Sequence, residues 1–220
     1  MAMSEPSFVP YEPWTPGISS EQAVVDFYQL LSRRRSVREF SDQPVSQETI
    51  EGLVRCATTA PSGANKQPWH FVCIQDAGTK HKIREAAEIA EKDFYENRAP
   101  QSWLDALAPL GTDENKPYLE VAPWVVVVFK LATEEDGAAV YYAEESVGIA
   151  VGMFLAAAQA AGLATLTHTP SPMRFLSEIL GRPENERAWC VIPVGWPAKG
   201  CAVPEHAFTR KPMDEVMAVV

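Results

Sequence analysis

Four arginines stand within the six positions Arg33-Arg34-Arg35-Ser36-Val37-Arg38 of a chain that is otherwise acidic. The planar guanidinium fork matches phosphate in parallel hydrogen bonds. The run falls where a helical pattern over Ala23–Leu31 gives way to an extended segment at Val37 and Phe40. An anion held at such a junction, rather than on a solvated face, would recruit several elements around it. A second stretch, Ala60 to Trp69, is built of small and polar residues that let backbone approach a planar ligand. Ser62 and Asn65 can hydrogen-bond the edge of such a ligand, and Trp69 can anchor the strand that follows; an ordinary Gly/Pro turn reads the same way. Missing are a GxSxG elbow, a GxxxxGK[ST] loop, a GxGxxG turn and an HExxH helix. The histidines His70, His81, His168 and His206 are scattered, so no metal site is expected. The chemistry is therefore expected to come from a bound organic cofactor that the protein orients and polarises.

The elements that must position these residues belong to a 220-residue chain, 46% apolar and 22% charged, of ordinary globular composition. Its net charge of −10 argues against a nucleic-acid binder, so the arginine run is assigned to one small anionic ligand. Cys56, Cys73, Cys190 and Cys201 show no metal spacing, and all but Cys201 lie in or beside apolar runs, which predicts buried reduced thiols. The first twenty residues are Pro-rich, without an apolar signal core. They predict an extended arm over 1–20, free to lie across a partner subunit, and a cytoplasmic location.

A single domain is expected over 21–220. Ser19 and Ser46 cap two helices. His70–Ile74 and Trp124–Phe129 read as buried strands, and Gly78–Tyr95 as a charged helix. Residues 91–120, interrupted by Pro100, Pro109, Gly111 and Pro117, read as a lid or helical excursion. Ala138–Ala161 is nearly apolar and reads as a buried central helix, with Gly148 and Gly152 on one face allowing close packing. Strands at Leu163–Leu166 and Cys190–Val194, and a helix at Pro172–Leu180 closed by Gly181, complete an α+β or α/β three-layer pattern.

Arg-Arg-Ser-Val-Arg-x-Phe followed by Ala-Pro-Ser-Gly-x-x-x-x-Pro-Trp resembles the FMN-dependent nitroreductase superfamily. The further segments His81–Arg84, Thr165–Pro170, Leu180–Pro183 and Arg210–Pro212 are similar to its iodotyrosine deiodinase branch. The resemblance spans roughly Phe27 to Met217. It implies a nitroreductase-like three-layer α+β fold, a central mixed sheet flanked by helices, and an intertwined homodimer with sites at the subunit interface. It also implies non-covalent FMN, with NAD(P)H as ultimate electron source, directly or through a partner reductase.

By the same resemblance, Arg34, Arg35, Ser36, Val37 and Arg210 belong to the cofactor's phosphate end. Arg38 meets the N1–C2=O edge, and Ser62 is a further contact. Thr167, His168 and Thr169 lie along the flavin, with the Thr169 hydroxyl toward N5; Thr169 and Arg38 are the residues tied to catalysis. The family usually carries Thr at the middle position, so His168 is a departure and receives no catalytic role. Glu91, Tyr95 and Lys116 match the positions that bind an amino-acid zwitterion: Glu91 for its ammonium, Lys116 for its carboxylate, Tyr95 for a further hydrogen bond. The Ala64 N–H would meet the halotyrosine phenolate. The implied reaction is reductive dehalogenation of a halotyrosine. A general nitroreductase or quinone reductase, the flavin-fragmenting branch of the superfamily and a non-catalytic flavin-binding module are the rivals. The flavin-fragmenting branch gives no reason for Glu91, Tyr95 and Lys116.

Overall fold

A computed structural model describes residues 6–134 and 137–220. The first five residues of the expected arm lie outside the described residues. By its contacts the chain divides into Met1–Arg33 and Arg34–Val220. In the first unit, residues 6–19 form no helix or strand. Helix α1 (Ser20–Leu31) begins where Ser19 Oγ accepts a hydrogen bond from the Gln22 N–H at 3.2 Å. It buries none of its residues, and Val24, Phe27 and Tyr28 are exposed.

The second unit is organised by a four-stranded sheet in the order β1-β2-β4-β3: β1 Trp69–Ile74, β2 Trp124–Leu131, β3 Ala164–Thr165 and β4 Glu186–Gly195. All three strand pairs are antiparallel, and among the described residues the parallel component is the one bridge Ser36–Thr165. Strand β2 reads as an unbroken apolar run because it is covered on both faces. Trp124, Val126 and Val128 join a core that also holds Ile50, Leu53, Val147 and Phe154, from α2 (Gln47–Thr58) and α6 (Ala143–Ala160). Val125, Val127 and Phe129 join a second core with Ile83, Leu119 and Leu176. Those three come from α3 (Ala77–Asp93), α5 (Tyr118–Val121) and α7 (Arg174–Ile179). The result is three layers, helix–sheet–helix. Between α3 and α5 the chain makes the short helix α4 (Gln101–Leu107), and near the C-terminus α8 (Met213–Val216).

Helix α6 begins five residues later than the apolar pattern predicts. Ala138–Val140 folds back on the end of β2 through the Thr133–Ala139 bridge and the Val140 N to Ala132 O bond. Tyr142 then stands at φ 58°, which no α-helix contains. A Cβ at Gly148 would make only ordinary contact with Trp189, and one at Gly152 would meet nothing, so the chain itself does not use these glycines for close packing. Of the cysteines, Cys190 is buried and its thiol is pushed up to about 12 by burial. Cys56 and Cys73 are exposed, contrary to expectation. Cys56 sits just off the inward stripe of Leu53 and Ala57, and Cys73 lies on the edge strand β1. Among the described residues, no helix is long and apolar enough to cross a membrane.

Gly195 closes β4 against Pro123: a Cβ there would lie 2.4 Å from Pro123 Cδ and 2.8 Å from its Cγ. The proline ring cannot rotate away. Gly195→Ala should therefore destabilise the protein by at least ~2 kcal/mol. An unchanged urea midpoint would refute the contact.

Candidate active site

A cavity of about 470 Å3 opens where α3, the excursion that follows it and the segment after β3 converge. Its wall includes Arg38, Glu91, Tyr95, Lys116, Thr167, His168 and Thr169, so seven of the expected residues share one space. Arg38 is carried there by the pairing of Ser36 with Thr165 and the Val37 N to Thr165 O bond of 3.1 Å. Glu91 lies in the last turn of α3. Residues Phe94–Arg98 continue α3 as a wider i→i+5 turn, closed by Ala99 N to Phe94 O at 2.8 Å. Tyr95 therefore still faces the cavity. Arg98 ties this turn to the opposite wall by donating to the Ser171 carbonyl.

Lys116 is buried, and it faces Glu91, whose side chain is partly buried. Lys116 is 4% exposed, and its Nζ lies 3.1 Å from Glu91 Oε2 while also donating to the Asp113 carbonyl. Its backbone N–H donates to Glu88 Oε1 at 2.7 Å, which fixes the segment. Tyr95 Oη donates to Thr112 Oγ1 at 2.9 Å. Burial raises the Tyr95 phenol pKa and the Glu91 charge adds to it, the Thr112 bond acting in the opposite sense. Tyr118, two residues beyond Lys116, is buried in the same wall and its phenol is raised chiefly by burial, then by Glu91.

Along the segment after β3, Thr167 and Thr169 are exposed and His168 between them is buried, as extended backbone requires. His168 is bridged to Val191 by two backbone bonds of 2.8 Å, and its ring meets the Tyr118 ring edge-on with centroids 6.0 Å apart. Burial, then the charges of Lys116 and Arg38, hold its imidazole pKa down to about 3, so the ring is neutral. Its Nε2 is buried without a hydrogen-bond partner among the described residues.

Two further groups lie outside this wall. Arg34, Arg35 and Arg210 gather at a second position. Burial lowers the Arg34 pKa, and the charges of Arg210 and Arg35 lower it further. Arg35 lies over the Phe208 ring at 4.2 Å, and Arg210 Nη1 is anchored on the Ala207 and Thr209 carbonyls at 2.9 and 2.7 Å. Positive charge concentrated in this way fits a phosphate dianion. Arg33 ends the first unit, its N–H on the Leu30 carbonyl. Ser62 and Ala64 do not line the cavity either. Their loop is anchored to α6 by Gly63 N to Ser146 Oγ at 3.3 Å, and Ser62 Oγ accepts from Gln67 N at 2.9 Å.

Tyr118, Phe94 and Trp103 also line the cavity, and no motif singles them out. Tyr118 had a signal, its closeness in sequence to Lys116; Phe94 and Trp103 had only the aromatic content of an otherwise polar excursion.

A cavity lined by charges of both signs, together with a separate arginine cluster, sits on a three-layer α+β scaffold. Residues 31–196 match the model of the nitroreductase family, and the chain belongs to that family. Within it, the chain is 49% identical to the iodotyrosine deiodinase of Haliscomenobacter hydrossis over 98% of both chains. It is 40% identical to the iodotyrosine deiodinase of Nematostella vectensis, over 98% of this chain and 84% of that one. Among solved structures, an oxidised iodotyrosine deiodinase bound to FMN and 3-iodo-L-tyrosine superposes with a TM-score of 0.74 at 32% identity, covering 84% of this chain and 95% of the other.

Proposed function

We propose that the protein is an FMN-dependent reductive dehalogenase that converts an iodotyrosine to tyrosine and iodide. The observation that carries this reading is the convergence of Glu91, Tyr95 and Lys116 with Arg38 in one cavity. A carboxylate, a phenol and an ammonium complement an amino-acid zwitterion, and a nitroaromatic has no use for them. In the reaction, one proton and two electrons replace the carbon–iodine bond by carbon–hydrogen and release iodide. FMN, when bound, supplies the electrons, and NAD(P)H restores them directly or through a reductase.

The chain's own residues bind, orient and shield. Arg34, Arg35 and Arg210 hold the phosphate end. Arg38, which makes no ion pair among the described residues, is the cation available to the ring system. Thr169, exposed on the cavity side, offers a hydroxyl, and Ser62 offers a second from the loop. Glu91 and Lys116 orient the substrate's ammonium and carboxylate. The Ala64 N–H meets the phenolate oxygen.

Ser62 and Ala64 lie outside the cavity of their own chain, so the complete site needs a second copy, and the working form is a homodimer. The apolar surface of the first unit supports this. Phe8, Tyr11 and Trp14 are each at least 85% exposed, and α1 has no buried residue. A partner subunit that covered them would remove these apolar side chains from water. A folded, FMN-loaded monomer in sedimentation at micromolar concentration would overturn the homodimer.

The test of the cofactor is direct. The purified protein should be yellow and hold FMN stoichiometric with the chain, released on denaturation. Arg34→Ala should lower FMN affinity by about tenfold or more, since it removes a charge-assisted contact from a half-buried position. Protein that is colourless and takes up no added FMN would end this reading.

A further inference from the structure

The loop from Ser62 to Gln67 holds three non-glycine residues at left-handed backbone angles: Ala64 at φ 50°, Asn65 at 55° and Gln67 at 49°. A fourth, Tyr142 at φ 58°, stands at the start of α6 against the same loop. Side-chain-bearing residues keep such angles only where their surroundings hold them. The restraint runs through Ser146. Its side chain belongs to a residue 3% exposed, and its hydroxyl donates to the Tyr142 carbonyl at 2.6 Å while accepting from the Gly63 N–H at 3.3 Å. Loop and helix start are also in contact: a Cβ at Gly63 would lie 3.1 Å from both Cβ and Cδ2 of Tyr142.

Four of the six backbone donors from Ser62 to Gln67 are used. Gly63 N bonds Ser146 Oγ, Asn65 N the Ser62 carbonyl, Lys66 N the Gly63 carbonyl, and Gln67 N the Ser62 hydroxyl. Among the described residues, the Ser62 and Ala64 N–H groups have no partner, and of these two residues only Ala64 is exposed. A strained loop that fixes the residues after Ala64 and leaves its N–H open at the surface is a preorganised donor site. We propose that Ser146 is a positioning residue: through Gly63 and Tyr142 it aims the Ala64 N–H at the substrate's phenolate oxygen. This rests on the halotyrosine reading above. Ser146 touches neither substrate nor cofactor. Its effect is to favour the ionised phenol, because an N–H donor binds an anionic oxygen better than a neutral one.

The experiment compares 3-iodotyrosine with its phenol O-methyl ether, which cannot ionise, by titration of the FMN-loaded full-length protein across pH. Ser146→Ala should weaken 3-iodotyrosine binding at neutral pH by about tenfold, and move the pH dependence of its Kd upward by about one unit, because the loosened donor stabilises the phenolate less. Affinity for the O-methyl ether should stay at the wild-type value. Ser146→Cys is the companion variant. Its thiol fills nearly the same space but is only a weak donor and acceptor, so it should shift the same pH profile in the same direction with little loss of stability. A folded Ser146→Ala protein with the wild-type ratio of the two affinities at every pH overturns the proposal. If Ser146→Ala does not fold, an unchanged ratio in Ser146→Cys overturns it instead. Wild-type protein that binds FMN but no 3-iodotyrosine overturns the halotyrosine reading itself, an outcome distinct from either.

Discussion

Replacing Lys116 with alanine should weaken 3-iodotyrosine binding by ~30-fold or more, and Glu91→Gln should do the same, while reduction of a nitroaromatic is barely changed. Burial sets the size of the effect. Lys116 is 4% exposed and the Glu91 side chain 13%, so either charge meets a ligand with little water between. Each already pairs with the other at 3.1 Å. A zwitterion offers both a replacement partner, ammonium to Glu91 and carboxylate to Lys116. Removing one protein charge leaves the opposite ligand charge desolvated and unpaired, which costs about 2–5 kcal/mol.

Lys116→Ala also strands Glu91 in the free protein, with a stability loss of up to about 3–5 kcal/mol. The double variant Glu91→Gln/Lys116→Met separates the two effects. It should recover most of the stability and none of the affinity. Fluorescence titration of the oxidised flavoprotein, with thermal unfolding of the same samples, gives both numbers. Iodotyrosine affinity that survives both single substitutions would return the cavity to a general nitroreductase.

The sequence made the scaffold legible where short-range chemistry decides it. Ser19 and Ser46 cap helices as their types predict. The Val125–Phe129 run is the sheet's doubly covered strand. What failed was decided by distant partners. The first half of β4 looked polar, yet Glu186 is buried there with its carboxylate 2.9 Å from His70, which β1 brings in from 116 residues away. The start of α6 was displaced by a fold-back onto β2 that no local propensity signals.

The site divides in the same way. Arg34 to Arg38 announced themselves by charge density in an acidic chain. Glu91 and Lys116 did not, since helix α3 and its surroundings are rich in charges that mean nothing, and it took the family resemblance to single them out. The left-handed loop was legible only at Asn65, a residue type that tolerates such backbone; Ala64 and Gln67 give no hint of it. Its anchor, Ser146, lies more than a helix away in sequence.

His168 should give the protein an acid-labile stability that His168→Thr lacks. In the folded chain its imidazole has a pKa of about 3, against an ordinary value of 6.5. Burial is the largest cause, followed by the cations Lys116 and Arg38. Around it, the ring of Tyr118 brings no charge, and Glu91 is engaged by Lys116, so no carboxylate offsets these cations. Between the two pKa values the unfolded chain holds a proton that the folded chain refuses. Stability therefore falls as pH drops below about 6.5, with a slope approaching 1.4 kcal/mol per pH unit, and this loss levels off near the folded pKa.

Above that window the residue contributes no pH dependence. There its buried Nε2, without a hydrogen bond, remains a standing cost of about 1–3 kcal/mol. The threonine variant loses the ring's packing on Tyr118 but also loses this orphan nitrogen, so its stability near pH 7.5 should lie close to wild type. Urea unfolding at pH 7.5 and 4.5, at fixed protein and FMN concentration, measures the difference between the two proteins. That difference should move by about 2–3 kcal/mol in favour of the variant at the lower pH. Parallel stability curves across this range would mean that the imidazole takes up its proton in the folded state as readily as in water, and that it reaches solvent or a carboxylate in solution.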